Sequence, residues 1–196
     1  MDALLNVLLG VVAGVVTLFL IQNLPPRYKW SPEICLRPNT EGGRPIYEAR
    51  FGRGRYKVWR KRPGPIDVSF YARLSYKGES LRGEVERVVE VPVTKAWRPT
   101  IFRAVYLQFL VHEIAVDNIS FLPGKIQEKA RSKTLTMEDL LTPGEGISAA
   151  LRVYAFAYRP NTGTRWMQRK RYQYTDIRRG AFQPDGHVKT LPELAE

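Results

Sequence analysis

The chain has little of what enzymes and metalloproteins are usually built from. Its 196 residues include one cysteine and two histidines. Neither a Cys-x-x-Cys pair nor a His-Glu-x-x-His zinc site can be assembled from them, and no intramolecular disulfide can form. With Cys35 alone, nothing points to an oxidising compartment. Acidic residues are scarce as well, since 19 Asp and Glu stand against 31 Lys and Arg, for a formal charge of +12. Long apolar runs are absent except for one at the beginning.

Catalytic signatures fail on their own spacing rules. His112 lies in an apolar stretch beside Glu113 with no nucleophile at a recognisable distance, and His187 falls in a polar C-terminal segment. Gly144 to Ala149 spells G-x-G-x-x-A, but it follows an expected helix and precedes an expected strand. That is the reverse of the order that sets a pyrophosphate on a helix N-terminus. Pro123-Gly124-Lys125 lacks the upstream glycine and the following Ser or Thr of a phosphate loop. Glu84, Glu86 and Glu90 read as a solvated strand face, and Glu138-Asp139 as a helix start. No catalytic residue, metal ligand or cofactor is therefore expected, and the chain reads as non-enzymatic. A pocket holding buried Glu113 and Asp117 would reopen the question.

The one long apolar run extends from Ala3 to Leu24, broken only by Asn6, Thr17, Gln22 and Asn23, and stops at Pro25-Pro26. About 20 residues of helix cross the ~30 Å hydrocarbon layer. A cleaved signal would need a basic start, a shorter apolar core and a small-residue cleavage site, and these are missing. Residues 1–26 therefore read as a single-pass transmembrane anchor. Between Arg27 and Arg62 there are eleven Lys or Arg and three acids. By the positive-inside rule this places the following domain on the cytoplasmic side of the cell membrane. Gly10 and Gly14 form a small-xxx-small pair, a candidate surface for helix association in lipid.

Beyond the anchor, period-two alternation dominates. Ile66, Val68, Phe70, Ala72, Leu74 and Tyr76 alternate with polar or exposed-type residues up to Lys77-Gly78, and Val85 to Val93 alternates with Glu84, Glu86, Val88 and Glu90 until Pro92 marks an edge or an end. Ser31 to Pro38 and Ile46 to Lys61 read as strands around the Asn39 to Gly43 turn. Ile101 to Ile114 is apolar on both faces and reads as a central strand. Ala149 to Arg159 and Thr164 to Tyr174 flank Pro160-Asn161-Thr162-Gly163 as a hairpin. Thr136 with Asp139 resembles a capping box opening one short helix through Leu141, ended by Pro143-Gly144. The fold class expected is mainly β. A single transmembrane helix precedes an antiparallel β-sandwich or small barrel over 27–182 with one short helix, and 183–196 forms a loosely held tail.

Basic charge is the strongest functional signal. Arg53, Arg55 and Lys57 form one stripe near the anchor. Arg165, Arg169 and Arg171 form another, sharing a strand face opposite Trp166, Lys170, Tyr172 and Tyr174. These six residues are the candidate anion contacts. Lipid headgroups are the nearest anionic partner. An acidic protein or a nucleotide ligand is the next, and nucleic acid is disfavoured because membrane attachment restricts access to it.

The segments Leu135-Thr136-Met137-Glu138-Asp139-Leu140-Leu141, Leu151-Arg152-Val153-Tyr154-Ala155-Phe156, Thr162-Gly163 and Tyr174 to Phe182 together resemble a group of small uncharacterised bacterial membrane-anchored β-domain proteins. The resemblance covers about half the chain and implies an anchor-plus-sheet layout; it implies no activity. A looser, architectural likeness is to bacterial antiphage effectors that join membrane helices to a ligand-sensing β-domain. These typically carry more than one membrane helix. The expected function is thus recruitment or binding of an anionic partner at the membrane face. The alternative is an effector whose β-domain senses a ligand and whose helix homo-oligomerises to perturb the membrane.

Overall fold

The structure is a computed structural model that describes residues 2–23, 28–37, 44–53, 66–80, 83–101, 104–144, 146–158, 163–183 and 185–190. Helix α1 (Asp2–Asn23) is followed by β1 (Tyr28–Trp30), β2 (Ile34–Arg37), β3 (Ile46–Arg53), β4 (Ile66–Ser80), β5 (Gly83–Val91), β6 (Trp97–Thr100) and β7 (Ala104–Phe109). Helices α2 (Gly124–Arg131) and α3 (Met137–Leu141) come next, then β8 (Ile147–Tyr158), β9 (Arg165–Tyr172), β10 (Ile177–Phe182) and β11 (Val188–Thr190).

The strands form two sheets. In the first, β3 pairs with β7 on one side and with β1 and β2 on the other, and β2 continues through β10 to β11. β1 and β2 are one strand interrupted at Ser31-Pro32-Glu33. Proline there has no N–H for the ladder. Ser31 bridges the break, its N–H donating to the Arg50 carbonyl at 2.7 Å and its Oγ accepting from the Arg50 N–H at 3.1 Å. In the second sheet β4 is central, with β5 and β6 end to end on one side and β8 then β9 on the other.

The inward positions of both sheets meet in one core. Trp30 and Phe51 from the first sheet lie 4.8 Å apart between ring centroids, and Phe70 from the second meets them at 5.8 and 5.5 Å. Val68, Leu74, Leu151, Val153 and Leu107 are among the fully buried residues around them. The sheets are also tied along their margins. Val93 bridges to Phe109 on one side. On the other, Trp30 Nε1 donates to the Gln168 carbonyl at 3.4 Å and Tyr172 Oη to the Ser31 carbonyl at 2.7 Å. Burial pushes the Tyr172 hydroxyl well above its ordinary range, so it stays a neutral donor there.

The mainly β architecture agrees with the alternation in the sequence; four details differ. The sheet is not purely antiparallel, because β10 lies parallel to β2, Ile177 beside Ile34 and Arg179 beside Leu36. The chain reaches that position only after completing the second sheet, and so long a return leaves the strand free to run either way. Among the described residues there are two short α-helices rather than one. α3 has the expected capping box, Thr136 Oγ1 accepting from the Asp139 N–H at 3.2 Å and Asp139 Oδ2 from the Thr136 N–H at 3.1 Å. α2 follows Pro123 with no side-chain cap and buries only Ile126 and Ala130, too thin a stripe to stand out in sequence. The run from Ile101 to Ile114 gives β7 over Ala104–Phe109, paired among the described residues with β3 and, through an isolated bridge, with Val93 just beyond the end of β5, before turning into a 3-10 segment at Val111–Glu113. Within the segment expected to be a loose tail, β11 pairs with β10, and the Val188 N–H donates to Glu33 Oε2 at 2.9 Å.

Every described side chain of α1 from Leu5 to Thr17 is exposed, and among these the large apolar ones, Leu5, Val7, Leu8, Leu9, Val11, Val12, Val15 and Val16, fall on one broad arc. Asn6, Gly10, Ala13, Gly14 and Thr17 fall on the opposite arc by the 100° step of the helix. Among the described residues no helix is long and apolar enough to cross a membrane. The side chains described without a gap in α1 run only from Leu5 to Thr17, and the expected span rests on the sequence of Ala3 to Leu24.

Candidate functional site

The second sheet turns one face to the core and the other outward, and the outward face is not the bland polar surface that alternation usually leaves. β4 presents Asp67, Ser69, Tyr71 and Arg73, because Val68, Phe70, Ala72 and Leu74 take the buried positions between them. β8 presents Arg152, Tyr154, Phe156 and Tyr158 between buried Leu151, Val153, Ala155 and Ala157. β9 presents Arg165, Met167, Arg169 and Arg171.

Register then brings these positions into rows. Arg73 lies opposite Arg152, which lies opposite Arg171, and Glu90 on β5 closes the row beside Arg73. Tyr71, Tyr154 and Arg169 form the next row, and Ser69, Phe156 and Met167 the one after. Like charges directly opposite on neighbouring strands are destabilising by roughly 0.2–1 kcal/mol per pair. Arg152 is relieved by Glu86, whose Oε1 lies 3.0 Å from its Nη2. Arg73, Arg169 and Arg171 make no ion pair among the described residues. With Glu86 on Arg152 and Glu90 opposite Arg73, the arginines of this face with no acid opposite them in the described register are Arg169 and Arg171.

The same face is concave. A cavity of about 640 Å³ is lined by Tyr71, Arg73, Tyr154, Phe156, Tyr158 and Arg165, with Asp67 and Ser69 on the β4 side. Its aromatic rings are ordered against one another, Tyr71 meeting Phe156 edge-on at 5.7 Å and Tyr154 stacking near-parallel to Phe156 at 6.3 Å. The Arg165 guanidinium sits 5.0 Å above the Tyr158 ring and donates through Nε to its hydroxyl. Tyr71 and Phe156 remain over 40 % exposed, so the rings are available to a ligand and are not spent on the core.

Asp67 marks a break in the strand. The pairing of β4 with β8 shifts by one residue between Ile66 and Ser69, and Asp67 takes a left-handed φ of 49°. Such bulges turn a side chain off the regular pleat, and a non-glycine residue held at positive φ is a strained position that tends to mark function. Here the Asp67 carboxylate accepts from Trp97 Nε1 at 2.6 Å through Oδ1. Oδ2 has no hydrogen-bond partner among the described residues.

Of the residues expected from sequence to contact anions, Arg165, Arg169 and Arg171 stand together on this face, and Arg165 lines the cavity. Arg53 is at the end of β3 in the other sheet, paired with Tyr28, so the two basic stripes are not brought to one strand ladder. Arg55 and Lys57 lie outside the described residues. Gly10 and Gly14 lie on α1, and a Cβ built on either meets nothing within 4 Å. Glu113 and Asp117 are both exposed and build no buried acid pair. Arg73, Arg152, Tyr71, Tyr154, Phe156 and Asp67 were not singled out by sequence. Their signal was present all the same, as aromatic and arginine residues in the positions of β4 and β8 that alternation assigns to solvent. Comparison with protein-family models and with curated proteins gives no match.

Proposed function

We propose that this protein is a non-enzymatic, membrane-anchored β-sandwich that binds an anionic partner on the outward face of its second sheet. The observation that carries this reading is the convergence of Arg73 and Arg165 in one aromatic-walled cavity beside the Arg73, Arg152 and Arg171 row. An anion docked there supplies the missing counter-charge, with bidentate arginine contacts favoured for phosphate or carboxylate. The anchor reading is supported by the apolar run of Ala3 to Leu24, by helical backbone over Asp2–Asn23, about 33 Å at 1.5 Å per residue, and by the exposed large apolar residues of α1. The basic stretch after the helix favours a cytoplasmic domain.

Full-length protein in phosphatidylcholine nanodiscs, titrated with inorganic tripolyphosphate, tests the binding reading. Saturable binding that weakens as salt rises is expected, with at least a tenfold loss in Arg73→Ala/Arg171→Ala, since each hydrogen bond to a charged group is worth ~1.5–3 kcal/mol. Salt-independent binding, or binding indifferent to both substitutions, contradicts it.

A second reading has its own support. Asn6, Gly10, Ala13, Gly14 and Thr17 share one arc of α1, the mix of small and hydrogen-bonding residues that lets membrane helices associate. On this reading the protein is an effector in which ligand capture by the sheet drives α1 self-association. Gly10→Leu with Gly14→Leu then abolishes cross-linkable dimers, whereas pure recruitment leaves function untouched by the same pair.

A further inference from the structure

Three properties of the cavity on the second sheet have to be satisfied by one ligand. Arg165 and Arg73 ask for an anion. The ring surfaces of Tyr71, Tyr154 and Phe156 ask for a flat apolar body, since aromatic groups stack with rings held about 4.5–7 Å apart. The free Oδ2 of Asp67 asks for a hydrogen-bond donor. A phospholipid headgroup meets the first and third and leaves the rings unused. An acidic peptide meets the first and sets its carboxylates against Asp67. A nucleotide meets all three, with its phosphates on the arginines, its base on the rings and an exocyclic amino group on the carboxylate. The volume of about 640 Å³ falls within the range of ligand sites, about 300–1,000 Å³.

Resting on the anion-binding reading above, we propose that this cavity is a nucleotide site: Tyr71, Tyr154 and Phe156 stack the base, Asp67 accepts from its amino group, and Arg73 and Arg165 hold the phosphate. The base-edge contact makes the site selective. Cytosine presents an amino donor where uracil presents a carbonyl acceptor, and Asp67, with Oδ1 already taken by Trp97, offers that position only an acceptor. The same chemistry is found in free nucleotides and in the exposed bases of a single strand.

The test uses full-length protein in phosphatidylcholine nanodiscs and four probes: CTP, UTP, tripolyphosphate and a five-residue oligocytidylate. CTP is expected to bind about tenfold or more tighter than tripolyphosphate, since stacking on an aromatic side chain is worth about 1–3 kcal/mol per base. Tyr71→Leu and Phe156→Leu should erase that advantage without changing tripolyphosphate binding, and Tyr71→Phe, which keeps the ring, should retain it. CTP should be preferred to UTP by about tenfold. In Asp67→Asn, where Trp97 holds the amide oxygen and the NH2 faces the base, the preference should reverse; asparagine also tolerates the positive φ at this position. Tighter binding of CTP than of the oligomer identifies a free nucleotide, and the opposite order identifies a single strand; either order supports the site. If tripolyphosphate binds as tightly as CTP and the ring variants change nothing, the nucleotide site is overturned while the anion reading stands. If none of the probes binds, both fall. Equal binding of CTP and UTP overturns the role given to Asp67.

Discussion

Single residues fix the most constrained points of this fold. A Cβ at Gly180 would stand 2.1 Å from the Lys189 carbonyl oxygen and 2.9 Å from its carbon, so β10 and β11 approach as closely as they do only because that position is bare. Gly180→Ala is expected to lower stability by about 2 kcal/mol, the cost of forcing an atom into a filled space, read as a lower urea midpoint. Phe51 touches Trp30, Phe70, Tyr28 and Trp166. Phe51→Ala should cost about 3–5 kcal/mol by the same measurement. Asp139 supplies a titration test. Burial raises its pKa, but the Lys129 ammonium at 2.6 Å and the Thr136 hydroxyl and N–H outweigh it and hold the carboxyl below its ordinary value of 3.8. A carboxyl with a lowered folded pKa adds stability that is fully present above its unfolded value and is lost as pH falls through its folded value. The stability gap between the native chain and Asp139→Asn should therefore be constant above about pH 5 and close progressively below about pH 4.

At the scale of elements, what could be read in the sequence tracked how directly a signal maps to local geometry. The alternation in β4 and β5 was legible because each strand has one buried face, and the capping box of α3 because Thr136 and Asp139 satisfy each other across three residues. β7 misled by composition. Its Leu107 and Phe109 do point to the core, but its outward Tyr106 is apolar because it packs at 5.7 Å on Phe182 of the returning β10, a contact across more than seventy positions of chain. The parallel placement of β10 was equally invisible, since neighbouring residues carry no record of a strand laid down so far away. The site shows the same division. Arg165, Arg169 and Arg171 were found because they alternate within one strand. The row that gives Arg171 its meaning, with Arg152 and Arg73, exists only through the register of three strands. Thr136→Ala should remove the cap on α3 at a cost of about 1 kcal/mol in urea unfolding.

At the scale of the whole molecule, the proposed function joins an N-terminal anchor to an arginine-bearing sheet face. Membrane attachment and anion binding are linked in this account, because a cytoplasmic domain has access to nucleotides, to nucleic acid and to the anionic cytoplasmic leaflet. Topology is therefore the measurement that tests the account most directly. Cys35 is buried, and Cys35→Ser removes it as a background. Ser132→Cys then places one thiol at the exposed end of α2, away from the cavity. Treatment of intact cells with a membrane-impermeant maleimide should leave this variant unlabelled until lysis, with the protein pelleting in the membrane fraction. Labelling in intact cells, or recovery of the full chain in the soluble fraction, would contradict the account.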